Sequence, residues 1–387
     1  MRYKYQLILL GENVEFFEKL KLEISRKFDE LKLIQDLLKI ITKDNISEYS
    51  GAEPAYVIYS GHKNNLDVIT NEIIEQQKLG GNIILPIFIE NFTKEIPDVI
   101  SNLNGLKLHD NISKICNLIL EGFELLRKSR KIFISYKRSE SSIVAIQLYE
   151  ALEANNFDVF LDTHSVDKGE EFQEELWHRM TDCDVILMLN TKEFLKSEWC
   201  NKELEKAHIK RIGIVHLLWP DCDFERFAQL AHSMNLKNSD FDKPLFADLS
   251  KGRLTQTKVK EIINLVEGAR ARNLASRQDS LITEFTQAGY NNNVELNLQF
   301  SRYITQELPT GKRIIYIPTV GVPQSINCQN SQRLIQRIEK KEIDSIHLIY
   351  DDMSIRDYWL DHLDWLNKRL EIQTIKKQEF NSWFQKF

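Results

Sequence analysis

Short runs rich in Val and Ile recur along the whole chain, each followed by a longer stretch with helical spacing. They include QLILL at 6–10, AYVIY at 55–59, NIILPIFI at 82–89, KIFISY at 131–136, DVILMLN at 184–190 and GIVHLLW at 213–219. Runs this short and this rich in β-branched residues are strands. Alternation with helices requires a crossover between strands, and crossovers make strands parallel. A strand apolar on both faces, such as DVILMLN, is covered by helices on both sides. The chain is therefore expected to be α/β with parallel sheets.

Three units follow from that pattern. The first pairs QLILL with a helix over about residues 14–28, where Phe17, Leu20, Ile24 and Phe28 form one stripe. A basic stretch from Arg127 to Lys131 marks its end. The second unit adds a helix over IVAIQLYEALEANN, with Ile143, Ile146, Tyr149 and Leu152 read as its buried stripe, and a strand DVFLD at 158–162. The third starts near Lys251 with helices, then GKRIIYIPTVGVP, DSIHLIYDD and LEIQTI as strand-bearing segments. The expected domains are 1–128, 129–250 and 251–387.

Units one and two share a layout. Leu7 and Leu33 lie 26 apart, Ile132 and Val159 lie 27 apart, FDELKLIQD is set against FDVFLD, and IILPIFI against IVHLLW. Spacing alone leaves open whether the first is a degenerate copy of the second.

Charge and cysteine usage narrow the function classes. The net charge of −6 gives no signal for nucleic acid or an anionic membrane. Cys116, Cys183, Cys200, Cys222 and Cys328 are scattered without a CxxC, so neither a metal site nor a disulfide framework is expected. The apolar run near the start is too short for a signal-peptide core, and no long apolar stretch follows. The expectation is a cytoplasmic protein with no membrane contact.

The middle unit carries the chemistry. Its first strand delivers Ser135, Tyr136, Lys137 and Arg138 to the carboxyl end, where ligands bind in open α/β sheets. A polar loop, FLDTHSVDKGEEF, follows the second strand, and FLKSEWCNKELEKA follows the third. These segments, in this order, resemble the Toll/interleukin-1 receptor (TIR) domain over about 120 of 387 residues. KIFISYKR reads as its box 1, LDTHSVDKGEEF as its BB loop and SEWCNKEL as its third-helix motif.

The resemblance implies a flavodoxin-like parallel sheet and one of two functions: an adaptor that only assembles, or an enzyme that cleaves the nicotinamide–ribose bond of NAD+. The enzymatic group carries a glutamate where WCxxEL places Glu203. Local physics agrees with that helix, since Ser197 is a good N-cap, Glu198 suits the first turn, and Trp199 and Glu203 share a face at i and i+4. One carboxylate suffices for the reaction. Nicotinamide is already a cationic pyridinium and leaves neutral, so no general acid is needed, whereas ordinary glycosidases need two carboxylates. By the same resemblance, Trp199 or Tyr136 stacks on nicotinamide, Arg138 or Lys137 meets the diphosphate, and NAD+ is substrate with no cofactor. Asp162 more simply holds the BB loop than touches substrate. Val166, Asp167, Lys168 and Gly169 would carry the BB-loop contact between TIR domains that completes the site on self-association. An upstream activator protein or nucleotide messenger, acting through the flanks, and an antiviral role through NAD+ depletion complete the expectation.

Plainer readings stand beside these. An isolated helical glutamate is ordinarily a solvated charge. Phe172, Leu176 and Met180 are a core stripe, and Cys200 has no histidine pattern to activate it. In the first unit GEN replaces SYKR, and Glu72 reads as structural. In the third, TVGVPQS follows a strand and has the backbone to cradle an anion, while Asp351 and Asp352 end the next strand as ligand groups or as a turn. Trp359, His362 and Trp365 on an amphipathic helix read as core or interface.

Overall fold

The structure is a computed structural model. It describes residues 5–31, 33–51, 53–80, 82–108, 112–123, 125–126, 129–161, 178–192, 194, 212–220, 222, 232–242, 252–299, 302–338, 342–353 and 355–386, with the side chains of 30, 334 and 336–338 set aside. The chain divides into two compact units, Met1–Arg127 with Leu298–Arg302, and Lys128–Asn297 with Tyr303–Phe387.

The first unit runs β1 (Tyr5–Leu10), α1 (Val14–Glu30), β2 (Leu38–Thr42), β3 (Ala55–Tyr59), α2 (Val68–Leu79), β4 (Ile83–Phe88), α3 (Phe92–Glu95), β5 (Leu106–Lys107) and α4 (Ile112–Gly122). Its sheet has the order β2-β1-β3-β4-β5 with every pairing parallel. β1 is buried from end to end, even at Gln6, whose side chain is satisfied by loop backbone. Gln6 Nε2 donates to the carbonyls of Ser50 and Glu53, and Ser50 N–H donates back to Gln6 Oε1. The α1 stripe is as the spacing predicts: Phe17, Leu20, Ile24 and Phe28 are all buried. The second strand is not where the repeat predicts it. β1 pairs Leu7 with Ile40, so FDELKLIQD is the end of α1 and a connection, and Leu33 is buried without joining the sheet.

The second unit opens with β6 (Lys131–Ser135), α5 (Arg138–Glu153), β7 (Asp158–Leu161), β8 (Val185–Asn190), β9 (Gly213–Leu218) and β10 (His232–Asn235). Its parallel sheet runs β10-β9-β8-β6-β7. Counted from β7, that is again second, first, third, fourth, fifth. Ile132 pairs with Val159, the spacing read from sequence, and β9 holds the fourth place that β4 holds in the first sheet. The α5 stripe differs from the one predicted. Val144, Ala145, Leu148 and Leu152 are buried, while Ile143 and Ile146 are 37% and 45% exposed. An i+3 row drifts off the face of a 3.6-residue helix; the i+4 row 144-148-152 stays on it.

One helix serves two cores. α6 (Gln256–Asn291) is 36 residues long, started by Thr255, whose Oγ1 accepts from Lys258 N–H. Val259, Ile262, Ile263, Val266 and Ala269 pack with β6, β8 and β9 side chains, and Leu281, Ile282, Phe285 and Ala288 pack into the core of a third sheet. That sheet comprises β11 (Asn297–Leu298), β12 (Ile304–Glu307), β13 (Arg313–Thr319), β14 (Ile343–Tyr350) and β15 (Gln373–Lys376), in that spatial order. α7 (Ser325–Ile338), α8 (Asp357–Asn367) and α9 (Phe380–Phe384) accompany it. β13, β14 and β15 are the three segments predicted, and they are parallel. β12 is an addition, an antiparallel hairpin partner of β13 made by the turn at Gly311, whose φ of +81° favours glycine.

Buried charge fastens α6 to the middle sheet. Arg270 is fully buried, with Nε 3.4 Å from Asp184 Oδ2 and a terminal nitrogen 3.4 Å from Glu267 Oε2. Arg130 Nε meets Glu267 Oε1 at 2.6 Å, and Arg270 also donates to the carbonyl of Ser129. Each charge has an opposite neighbour, as burial demands.

Candidate active site

The reversal in strand order falls between β6 and β8, which makes their carboxyl ends the place for a ligand. Ser135, the last residue of β6, pairs with Met188 and is buried on the face shared by Phe133 and Met188. Asn190 lies two residues beyond Met188 on the same face by strand alternation. Asn190 Nδ2 and Thr191 Oγ1 are both buried and find no hydrogen-bond partner among the described residues. A buried amide and hydroxyl left open cost more than a closed pair, so such groups mark a place where water or ligand completes the bonding. Sequence reading passed over Asn190 and Thr191. The signal was present: a polar pair closing an otherwise apolar strand.

Tyr136 faces the other way. Its ring belongs to the apolar cluster that includes Val144, Leu148 and Leu217. Lys137 is the N-cap residue of α5 but gives it no side-chain bond; its carbonyl accepts from the N–H groups of Glu140 and Ser141. Lys137 Nζ stands 3.9 Å from Glu140 Oε1, and Arg138, exposed, opens the helix. Two cations thus occupy a helix N-terminus, where the dipole favours anions and backbone N–H groups point outward.

Of the residues singled out in sequence, the structure brings Ser135, Tyr136, Lys137 and Arg138 to one sheet edge. Glu203, Trp199, Asp162, Val166, Asp167, Lys168 and Gly169 lie outside the described residues, as do Ser197, Glu198, Cys200, Leu204, Phe172 and Leu176. Met180 is buried in the core. Among the described residues no cluster of His, Cys, Asp and Glu is arranged to hold a metal ion, and no helix is long and apolar enough to cross a membrane.

Comparison with known proteins agrees with this geometry. The family model described as TIR domain matches residues 132–250. No curated protein matches the chain. Among solved structures, the C-terminal domain of glucosamine-fructose-6-phosphate aminotransferase from Francisella tularensis is similar at 10% identity over 70% of this chain and 85% of that one. Its TM-score of 0.20 is too low to carry an argument. Residues 132–250, with a parallel sheet in flavodoxin-like order and box 1 at the end of its first strand, are a TIR domain within the longer chain.

Proposed function

We propose that the TIR domain is an NAD+ glycohydrolase switched on by self-association and acting as an antiviral effector. The observation that carries the reading is the polar edge at the strand reversal: Asn190 Nδ2 and Thr191 Oγ1, buried without partners among the described residues, near the end of the strand that carries Ser135, with Lys137 and Arg138 at the start of α5. In this reading the two cations and the α5 amides attract the diphosphate of NAD+. Ser135, Asn190 and Thr191 hydrogen-bond its ribose.

Glu203 faces the ribose and stabilises the positive charge that develops there. The bond between ribose C1′ and the nicotinamide nitrogen breaks, and its electron pair neutralises the pyridinium. Water then attacks C1′ and loses a proton, giving ADP-ribose; attack by an adenine nitrogen gives a cyclic isomer instead. A carboxylate beside an oxocarbenium-like cation in a low-dielectric site is an effective stabiliser. The BB-loop residues Val166 to Gly169 complete the site from a second TIR domain.

The test is incubation of purified protein with NAD+ over a concentration series, with chromatography of the products. Nicotinamide release that rises per mole of protein with concentration supports the reading. A bulky residue in place of Gly169 should suppress that rise. No nicotinamide at any concentration of assembled protein leaves the adaptor function instead.

A further inference from the structure

The carboxyl ends of β13, β14 and β15 meet α6 around a cavity of about 190 Å³. Thr319 from β13, Asp351 after β14, Lys377 after β15 and Glu284 from α6 stand in its wall. These include two segments singled out in sequence, TVGVPQS and Asp351, which only the fold brings to one site. Lys377 is the hub: its Nζ lies 2.7 Å from Glu284 Oε2 and 3.4 Å from Asp351 Oδ2. Burial works against its charge, but the bond to Glu284 and the field of Asp351 outweigh it and raise its pKa. One ammonium therefore holds two carboxylates side by side, each with acceptor capacity to spare.

The charge in the wall balances, since Arg277 offsets the second carboxylate. A phosphate would meet Asp351 and Glu284 without a surplus of cations. A pair of neutral hydroxyls would donate to both carboxylates, with the hydroxyls of Thr181, Ser280 and Thr319 at hand and Leu281 and Met353 as apolar wall for a ring. We propose that this cavity binds a ribose-type vicinal diol, as carried by a nucleoside or by ADP-ribose.

The elements around the cavity also contact the TIR domain. Val322 N–H donates to Asp182 Oδ1 at 2.9 Å, Arg277 donates to the carbonyls of Thr181 and Cys183 at 2.8 Å, and Trp359 stacks on His178 with centroids 5.5 Å apart. Residues 178–184 lie in the TIR domain just before β8, so an occupant of the cavity touches that domain through Thr181.

Calorimetric titration of the full chain tests the site, and its outcome is separate from the hydrolysis reading because no turnover is measured. Adenosine and ADP-ribose are expected to bind, and 2′,3′-dideoxyadenosine about a hundredfold or more weaker, about tenfold or more for each of its two lost hydroxyl-to-carboxylate bonds. Asp351→Asn and Glu284→Gln, both at partly exposed positions, should each weaken adenosine about tenfold, one bond apiece. Hydrogen exchange should slow at 319–322 and 351–353 when adenosine is bound. The proposal fails if neither ribose compound binds, if the dideoxy analogue binds as well as adenosine, if both carboxylate variants bind normally, if protection falls elsewhere, or if inorganic diphosphate binds the cavity as tightly as adenosine.

Discussion

Beyond β1 the first unit places Gly11, Glu12 and Asn13; beyond β6 the TIR domain places Tyr136, Lys137 and Arg138. Asn13 caps α1 by accepting from Phe16 N–H and donates to Ser60 Oγ, while Gly11, at φ +111°, lets the backbone of Ser60 approach where a Cβ would sit 2.1 Å from its carbonyl. The cavity at that edge, about 330 Å³, is lined by Glu12, Glu18, Asp44 and Asp67 against Lys21 and Lys43. The TIR domain gives up the cap and puts cations at the helix start. The same strand order thus carries two different turns: one sheet caps the helix that follows, the other places cations at its start. Topology chooses where a site can be, and the few residues at strand ends choose what it can hold.

The largest expected effect probes how each sheet is fastened. Arg270→Ala leaves Asp184 and Glu267 buried without their shared partner and should cost about 3–5 kcal/mol. Gln6→Ala in the first unit removes a neutral staple and should cost about 1–3 kcal/mol. Urea unfolding with a probe in each unit measures both, and equal losses would break the contrast between a charged and a neutral fastening.

Chemistry comes next. Glu203→Gln should lower nicotinamide release by about 10²–10³-fold, in the range for removing one electrostatic stabiliser. Glu72→Gln, at an exposed position on α2, should leave it within about twofold, since surface substitutions of this kind shift little. Loss of activity in the Glu72 variant would mean that the first sheet shares in catalysis.

Acid separates the units in another way. His347 is buried against Tyr316 and Trp383, and burial depresses its pKa to about 4. A histidine kept neutral when folded makes the unfolded chain the better proton acceptor, so stability present above pH 6.5 is lost as pH falls toward 4. The loss should be about 2 kcal/mol between pH 7.5 and 5. Among the described residues of the first unit the histidine is His62, which is exposed. That unit should therefore hold its stability over the same interval, and His347→Phe should flatten the slope of the other. Thermal melts across pH decide it.

The smallest effect exchanges the caps. Lys137→Asn should stabilise the second unit by about 0.5–1 kcal/mol while weakening NAD+ binding, and Asn13→Lys should destabilise the first unit by about 1 kcal/mol. If Lys137→Asn neither stabilises nor alters NAD+ binding, the sacrifice inferred at this turn is not there.

Much of this was legible residue by residue. AYVIY is β3 to the residue, QLILL lies inside β1, and the α1 stripe is buried as spaced. The failures are instructive. Leu33 looked like a strand residue because it is apolar and falls at a repeated spacing, yet the sheet register takes Ile40 instead. Ile143 and Ile146 looked buried because they fall on an i+3 row, but the neighbouring helix face carries the smaller Val144 and Ala145 into contact. In both cases local hydrophobicity was read correctly and its partner was not. Gly311 and the turn it makes were visible in LPTGK, although too short a flank hid β12.

What the sequence by itself determined is local: which segments are strands, which are helices, and the ordered motifs of a TIR domain, because a period of two or 3.6 and a strand-end motif are written in adjacent residues. What only the tertiary structure decided are meetings across long separations. Arg270 finds Asp184 and Ser129, Gln147 finds Leu254 by two hydrogen bonds of 2.8 Å, and Thr319, Asp351, Lys377 and Glu284 gather around one cavity. Tyr136 turns into the core, and Asn190 Nδ2 at the end of β8 finds no partner among the described residues. Such pairings depend on the register of strands and the path of a 36-residue helix through two cores. No stretch of neighbouring residues encodes them, since each side chain's energy is set by atoms that the chain brings back only after folding.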